Sequence, residues 1–308
     1  MSVIIKGYIK TRMLILGLNA FEICSSAAIV CDGKVLFAMC EERFTRIKRD
    51  KSFPYNAIEA GLRELNIQFS DFDAISIGWN PAVESYKLNG TLSSRPRELY
   101  YFKLIEAFMS KENYTDNDFD WSSVKTSGRT LPEIFFIRHH LAHASNCIFQ
   151  SNFESGDFLT LDFMGERETG IYGKFNSNDI QKLHISKQPR STGAFYASMT
   201  EMLGYKYDSD EWKVMALSAT NKINEKAKSY IEIFKKVTAP GGIAPLLKNE
   251  FFNTDQPREK FLTTKKLRKM LEAPEIIKDR NSESYREWQM NIAAAMQKFI
   301  SDYTFDAI

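Results

Sequence analysis

The 308-residue chain carries a formal net charge of +2, so its overall charge gives no case for binding nucleic acid or a membrane surface. Hydrophobic residues make up 44% and charged residues 26%, as in ordinary soluble proteins, and the length suffices for two lobes or one large domain. No apolar run approaches the roughly 18 residues that span a bilayer, and the basic extension 1–12 lacks the apolar stretch of a signal peptide. The four cysteines form no CxxC pair, so we expect reduced thiols and a cytoplasmic protein.

The first elements in chain order predict a mixed sheet. Asp32-Gly33 is a two-residue hairpin signal between two apolar runs. Pro54 predicts the start of a helix over 55–65, whose apolar residues recur at helical spacing. The strands predicted in this part of the chain are 13–17, 25–30, 34–39 and 74–79. A strand meander followed by a helix and another strand indicates an α/β domain with a mixed sheet.

The rest of the chain alternates predicted helices with short strands. The helices are predicted over 100–109, 141–149, 193–203, 222–238, 265–271 and 285–304, with a loop over 113–130. The strands are predicted over 134–137, 158–163 and 169–175. A strand-turn-strand unit around Gly165 repeats the one around Asp32-Gly33. Two such hairpins favour a duplicated fold like that of the actin-like and hexokinase-like ATPases, in which each lobe presents a hairpin to the phosphates.

Three of the four histidines lie within the five residues 139–143. His139 and His143 are four residues apart, so on a helix both imidazoles project from one face. A divalent metal takes neutral imidazoles as ligands, and Asp162, at the end of an apolar strand, offers a carboxylate that is costly to bury without a cation. Two histidines and one carboxylate with open positions suit iron(II) or a similar transition metal. The alternative is a pair of ordinary core or surface histidines.

Two further segments are candidates for binding an anion. In the turn after Asp162, Gly165 would let backbone amides approach an anion closely, and the hydroxyl of Thr169 could add a contact. An ordinary polar hairpin is the alternative. The mixed-charge run 41–49 could clamp a carboxylate or phosphate with its cations, and the alternative there is a solvated helix start or loop.

Four blocks of the chain, taken in order, resemble the O-carbamoyltransferase family, which includes nodulation-factor and antibiotic carbamoyltransferases. The blocks are 17–54, 139–153 (HHLAHASNCIFQSNF), 161–169 (LDFMGERET) and 191–217. The resemblance covers roughly residues 13–308. It implies an α/β, actin/hexokinase-like (ribonuclease H-like) duplicated fold with mixed sheets. The first lobe would span 13–155, and the second, 156–308, would stop before the nucleotide-binding segment and the adenylate-forming C-terminal domain.

The resemblance also implies a reaction. In these enzymes the C-terminal domain makes carbamoyl-adenylate from carbamoyl phosphate and ATP, and the N-terminal domain transfers the carbamoyl group to a substrate hydroxyl. His139, His143 and Asp162 fall on the positions that bind iron(II), which would act as a Lewis acid. Gly165 and Glu166 fall on the second phosphate-facing hairpin. The expected partners are a small-molecule hydroxyl acceptor and the missing C-terminal half, and a homodimer is left open.

The chain departs from the family pattern at positions that matter for chemistry. A His-Asp pair usually precedes the Ser/Ala run, and here those positions are Ile23 and Cys24, so the expected general base is missing. Glu22 is a candidate substitute, although neighbours in a strand point to opposite faces. Lys48 falls on a basic position near the reacting group. Phe163 stands where a glycine usually follows the motif aspartate.

Three interpretations follow. The leading one is the N-terminal part of an O-carbamoyltransferase, either a fragment or a split-gene product, which would need the missing half for the full reaction. The second is a catalytically degenerate relative that kept the fold as a binding or scaffold protein. The third is an actin-like small-molecule kinase, which would not need the histidine pair.

Overall fold

The computed structural model describes residues 12–20, 23–79, 132–177, 179–220, 222–254, 261–274 and 282–307. The chain divides into two compact units, Met1–Ser145 and Asn146–Ile308. The helix expected over 100–109 and the loop expected over 113–130 lie outside the described residues.

The first unit contains a mixed sheet. Its strands are β1 (Leu14–Asn19), β2 (Ser26–Cys31), β3 (Lys34–Cys40), β4 (Ala74–Ile77) and β5 (Glu133–Phe136). They pair in the order β3-β2-β1-β4-β5. β2 is antiparallel to β1 and β3, whereas β4 is parallel to β1 and β5. The expected mixed α/β architecture and its opening meander are therefore confirmed.

The turn between β2 and β3 shows why the chain folds back where it does. Asp32 and Gly33 both have positive φ, at 48° and 78°. A two-residue loop of this kind matches the twist of the flanking strands, and glycine adopts the left-handed conformation without steric cost. Oδ1 of Asp32 also accepts a hydrogen bond from the amide of Met13 at 3.1 Å. The hairpin signal is confirmed.

The described part of the first unit also contains helices. They are α1 (Glu42–Thr45), α2 (Tyr55–Leu65), a short 3-10 helix (Phe69–Asp71) and the start of α3 (His139–Gln150). α2 has the predicted bounds and ends at Asn66, which has the left-handed conformation of a helix C-cap. At Gly61, a β-carbon would lie 2.6 Å from Cδ1 of Ile29, so a larger residue would require the side chains of the sheet to shift. Full burial of each Leu or Ile side chain in the core between helix and sheet contributes about 1.5–3 kcal/mol.

The second unit begins with an antiparallel sheet and continues as helices. Its strands β6 (Ser155–Leu161), β7 (Glu168–Asn176) and β8 (Asp179–Lys187) pair in the order β6-β7-β8. The helices are α4 (Thr192–Met202), α5 (Glu211–Ser218), α6 (Glu225–Val237), α7 (Lys265–Met270) and α8 (Glu283–Asp306), with a two-stranded ladder of β9 (Thr238–Ala239) and β10 (Leu246–Leu247). The hydrophobic core of this unit contains buried residues of these helices, among them Phe195, Phe234, Met296 and Phe299. Among the described residues, no helix is long and apolar enough to cross a membrane.

Candidate functional site

Two imidazoles meet at the start of α3. The helix begins at His139, three residues after the end of β5. Nε2 of His139 lies 3.0 Å from Nε2 of His143, and the ring planes are at 86°. His139 is partly buried, and His143 is exposed. The helix therefore places both imidazoles on one face, which is the geometry that their spacing predicts.

The separation of the two nitrogens fits a pair of ligands on one ion. Nitrogens about 2.1 Å from a common metal, at the roughly 90–110° angles of octahedral and tetrahedral sites, lie about 3.0–3.4 Å apart. Without a metal, one neutral imidazole donates its N–H to the other. The pair can therefore take up a transition ion with little change in its separation.

Two neighbouring rings hold His139 in place. The indole of Trp79, which follows β4, meets the imidazole of His139 edge-on, with ring centroids 5.3 Å apart. His140 is fully buried, and its ring lies 5.6 Å from that of His139. Sequence reasoning missed both contacts. The only signal for Trp79 was an aromatic residue at the end of a buried strand.

Asp162 lies in the second unit, directly after β6. Its amide donates to the carbonyl of Thr169 at 3.0 Å, which closes the β6–β7 turn. Its carbonyl accepts hydrogen bonds from the hydroxyl of Ser191 and the amide of Gly193, at 3.1 and 3.3 Å. Carboxylate Oδ1 accepts from the amide of Phe163 at 2.6 Å. Main-chain groups and the Ser191 hydroxyl therefore fix the backbone of Asp162, and the Phe163 amide fixes its carboxylate.

The predicted anion-binding turn is more closed than an exposed hairpin tip. Gly165 is buried and donates its amide to the carbonyl of Glu168 at 2.6 Å. The hydroxyl of Thr169 donates to the carbonyl of Arg190 at 2.5 Å, so its proton is used within the fold. Glu166 is fully buried. These contacts do not test ligand binding, so Gly165, Glu166 and Thr169 stay predicted ligand contacts.

Lys48 lies on the surface of the first unit. Its side chain is 83% exposed, and Nζ is 3.1 Å from Oε1 of Glu42. Glu42 also accepts from the amide of Arg49 at 2.9 Å. This backbone hydrogen bond, followed by that from Lys48, lowers the pKa of the Glu42 carboxyl. An exposed ion pair contributes little stability. The role of Lys48 near a reacting group stays a prediction.

A buried carboxylate in the same charge run has a structural role that the sequence reasoning missed. Glu41 is only 1% exposed and receives three hydrogen bonds at the N-terminus of α2. Asp50, also buried, accepts from the hydroxyl of Thr45 at 2.6 Å and from the amide of Ser52 at 2.8 Å. The Thr45 hydroxyl, more than Ser52, lowers the pKa of Asp50. Glu41 in the run, and Asp50 directly after it, therefore stabilise the fold as buried carboxylates.

The segment that usually carries a general base forms a tight turn here. The carbonyls of Ile23 and Cys24 accept from Nδ2 of Asn19 at 3.0 and 3.2 Å. Cys24 has a positive φ of 61°. Ile23 cannot accept a proton, and Glu22 lies outside the described residues.

A cavity of about 820 Å³ opens on the first unit. Strands β1 to β4 and the start of α3 line it, mostly with small side chains. Its polar lining residues include Asn19, Ser26, Arg43, Ser76 and Ser145. These residues are scattered along the sequence, so no local pattern could have predicted the cavity.

Comparisons with known proteins agree with the resemblance drawn from the sequence. A family model described as "Carbamoyltransferase N-terminus" matches residues 14–306. The chain is 33% identical to uncharacterized protein sll1178 of Synechocystis over 66% of this chain and 34% of that protein. It is 29% identical to nodulation protein NolNO of Sinorhizobium fredii over 65% of this chain and 28% of that protein. The chain thus spans about a third of the length of these curated relatives.

A solved structure also aligns, although weakly. YeaZ from Pseudomonas aeruginosa aligns with 56% of this chain and 64% of its own at 11% identity. The TM-score is 0.30.

Proposed function

The chain belongs to the family of carbamoyltransferase N-terminal domains, and on that premise we propose that it is the N-terminal part of an O-carbamoyltransferase. Such an enzyme moves a carbamoyl group from carbamoyl-adenylate, made from carbamoyl phosphate and ATP, to a substrate hydroxyl. The single observation that carries the proposal is the His139–His143 pair, whose nitrogens are spaced for one metal ion. The proposed partner is the adenylate-forming half of such an enzyme, and the chain spans only about a third of the length of its curated relatives.

The proposed metal ligands are His139, His143 and Asp162. They offer two imidazole nitrogens and one carboxylate oxygen, a donor set that suits iron(II) or a similar ion. When bound, such an ion supplies Lewis acidity toward an oxygen of the carbamoyl donor. The chain's own contribution is to hold these donors: α3 aligns the imidazoles, and the turn after β6 holds the carboxylate.

Other residues are proposed to act on the reactants. Gly165, Glu166 and Thr169 would form the turn that faces the adenylate phosphate. Lys48 would contact the donor, since its exposed ion pair with Glu42 is weak enough to be exchanged for a substrate anion. The acceptor is a hydroxyl compound such as a sugar or another secondary metabolite. The cavity of the first unit has the volume of a small-molecule site, and α3 contributes to its lining.

Metal binding tests this proposal directly. We expect protein purified anaerobically to take up one equivalent of iron(II), and His139→Ala and His143→Ala to weaken binding at least 10-fold. His184→Ala is the matched control. His184 is the chain's remaining histidine outside the 139–143 cluster, and its ring stacks on Tyr172 in the β7–β8 ladder. The proposal would be overturned if His143→Ala took up as much iron(II) as the parent. It would also be overturned if the parent took up no iron(II).

One observation favours a second function. Ile23 occupies the position of the expected base and cannot take a proton, which suits a binding protein that kept the fold and lost catalysis. Glu22 stays the candidate substitute. The test adds the adenylate-forming half of a relative and compares carbamoyl transfer by the parent and by Ile23→His. The degenerate interpretation would be excluded if the parent transferred the carbamoyl group as fast as an active Ile23→His variant. Transfer only by the variant would support it.

The duplicated fold is also proposed. Each unit contains an antiparallel three-strand meander, β1-β2-β3 in the first and β6-β7-β8 in the second. In the first unit β4 adds a parallel strand beside β1, whereas no described strand pairs with the corresponding edge of β6. We infer two equivalent lobes, 13–155 and 156–308. A crystal structure of a longer relative should show a parallel strand beside β6, and a strand in any other place would contradict the duplication.

A further inference from the structure

The backbone that carries Asp162 is held by one short segment of the second unit, 188–193. The hydroxyl of Ser191 lies 3.1 Å from the carbonyl oxygen of Asp162 and 2.8 Å from that of Phe163. Nε2 of Gln188 donates to the same Phe163 carbonyl at 3.2 Å, and the amide of Gly193 donates to the Asp162 carbonyl at 3.3 Å. The carbonyls of Asp162 and Phe163 therefore both receive hydrogen bonds from this segment.

The fit between the two segments is tight. A β-carbon at Gly193 would overlap the amide nitrogen of Phe163 and lie 2.5 Å from the carbonyl carbon of Asp162. Only glycine therefore lets the start of α4 pack backbone to backbone on the turn. The Phe163 side chain packs against the helical core, so the turn is anchored from its other side as well.

The holding segment is itself fixed. Arg190 donates from its guanidinium to the carbonyls of Pro240, Gly241 and Ala244. The amide of Ser191 donates to the carbonyl of Pro245 at 3.2 Å. A segment tied on this side can hold the Asp162 backbone in one place.

We propose that Ser191 is the positioning residue for the Asp162 carboxylate, an inference that rests on the proposed metal site. Ser191 is fully buried and is the N-cap of α4, where its Oγ accepts from the amide of Ala194 at 2.9 Å. The same hydroxyl donates its proton toward the Asp162 and Phe163 carbonyls. One side chain thus fixes the first turn of α4 and the backbone of a metal ligand together. Groups that orient a ligand from outside the coordination sphere typically change metal affinity by 10–100-fold.

The experiment measures iron(II) affinity by anaerobic chelator competition, well below the melting temperature of every variant. We expect Ser191→Ala to bind iron(II) at least 10-fold more weakly than the parent. Ser198→Ala is the matched control: Ser198 is fully buried on the same helix and donates to the carbonyl of Ala194 at 2.7 Å. It should lose stability without losing affinity.

A double-mutant cycle separates positioning from general loosening of the fold. In an Asp162→Ala background, Ser191→Ala should change iron(II) affinity by less than 2-fold, because the ligand that it positions is gone. Parental affinity in Ser191→Ala, or an equal loss in both backgrounds, would overturn the inference. If Ser191→Ala does not fold, Gln188→Met takes its place, since it removes one hydrogen bond to Phe163 and should weaken binding several-fold. No iron(II) uptake by the parent would instead refute the proposed function, so the two failures are distinguishable.

Discussion

Replacement of Glu41 by glutamine should destabilise the first unit, because the Glu41 carboxylate caps α2. Oε1 accepts from the amide and from Nδ2 of Asn56, at 3.2 and 2.6 Å, and Oε2 accepts from the amide of Ala57 at 2.9 Å. These donors lie in the first turn of the helix, where backbone N–H groups have no partner within the helix. Glu41 directly follows β3, so its hydrogen bonds to Asn56 and Ala57 also connect the sheet to α2.

The size of the effect follows from these contacts. Glutamine keeps one acceptor oxygen, and its NH2 group would face an N–H group that donates to a carboxylate oxygen in the parent. A buried hydrogen bond to a charged group contributes about 1.5–3 kcal/mol, and a negative charge at a helix N-terminus adds about 0.3–1 kcal/mol. Glu41→Gln should therefore lower the free energy of unfolding by about 2–4 kcal/mol. This corresponds to a fall in Tm of roughly 5–15 °C.

The assay is chemical and thermal unfolding at pH 7, followed by far-UV circular dichroism. Glu64→Gln is the matched control, because Glu64 is exposed on the same helix and should change stability by about 0.5 kcal/mol or less. If Glu41→Gln unfolds at the same denaturant concentration as the control, the Glu41 cap does not contribute measurably to the free energy of unfolding.

Three further predictions follow from single contacts. Asp50→Asn should lower Tm at pH 7, and the difference from the parent should shrink below about pH 4. Folding lowers the pKa of the Asp50 carboxyl, so its stabilising effect is present above the unfolded-state pKa and is lost as the pH falls through the folded-state pKa. A Tm difference that stays constant from pH 7 to pH 3 would contradict this. Gly193→Ala should cost about 3 kcal/mol, because its methyl group overlaps the Phe163 backbone, and denaturant unfolding measures the loss. Trp79→Ala should weaken iron(II) binding by more than Trp79→Phe, which keeps a ring edge against His139; equal affinities in chelator competition would refute that contact.

Elements with strong local signals were predictable from the sequence. Asp32-Gly33 specified a tight turn, and the bounds of α2 followed from a proline and an apolar periodicity. β8 was missed because its side chains are almost all exposed, with only Ser186 buried, so it carries no apolar alternation. α5 was missed for the same reason, since Val214 is its only buried residue. A strand or helix whose neighbours cover little of it leaves little trace in the hydrophobic pattern.

The same distinction runs through the candidate site. The His139–His143 geometry follows from helical spacing alone, so a sequence pattern is enough to predict it. The support of Asp162 depends on Ser191, 29 residues further along the chain, and no local pattern links the two. A buried serine is ordinary in a helix cap, and its second partner becomes visible only in the folded chain. The candidate ligands could therefore be predicted from the sequence, whereas the groups that hold them could not. The affinity measurements on Ser191 and Trp79 test these holding groups.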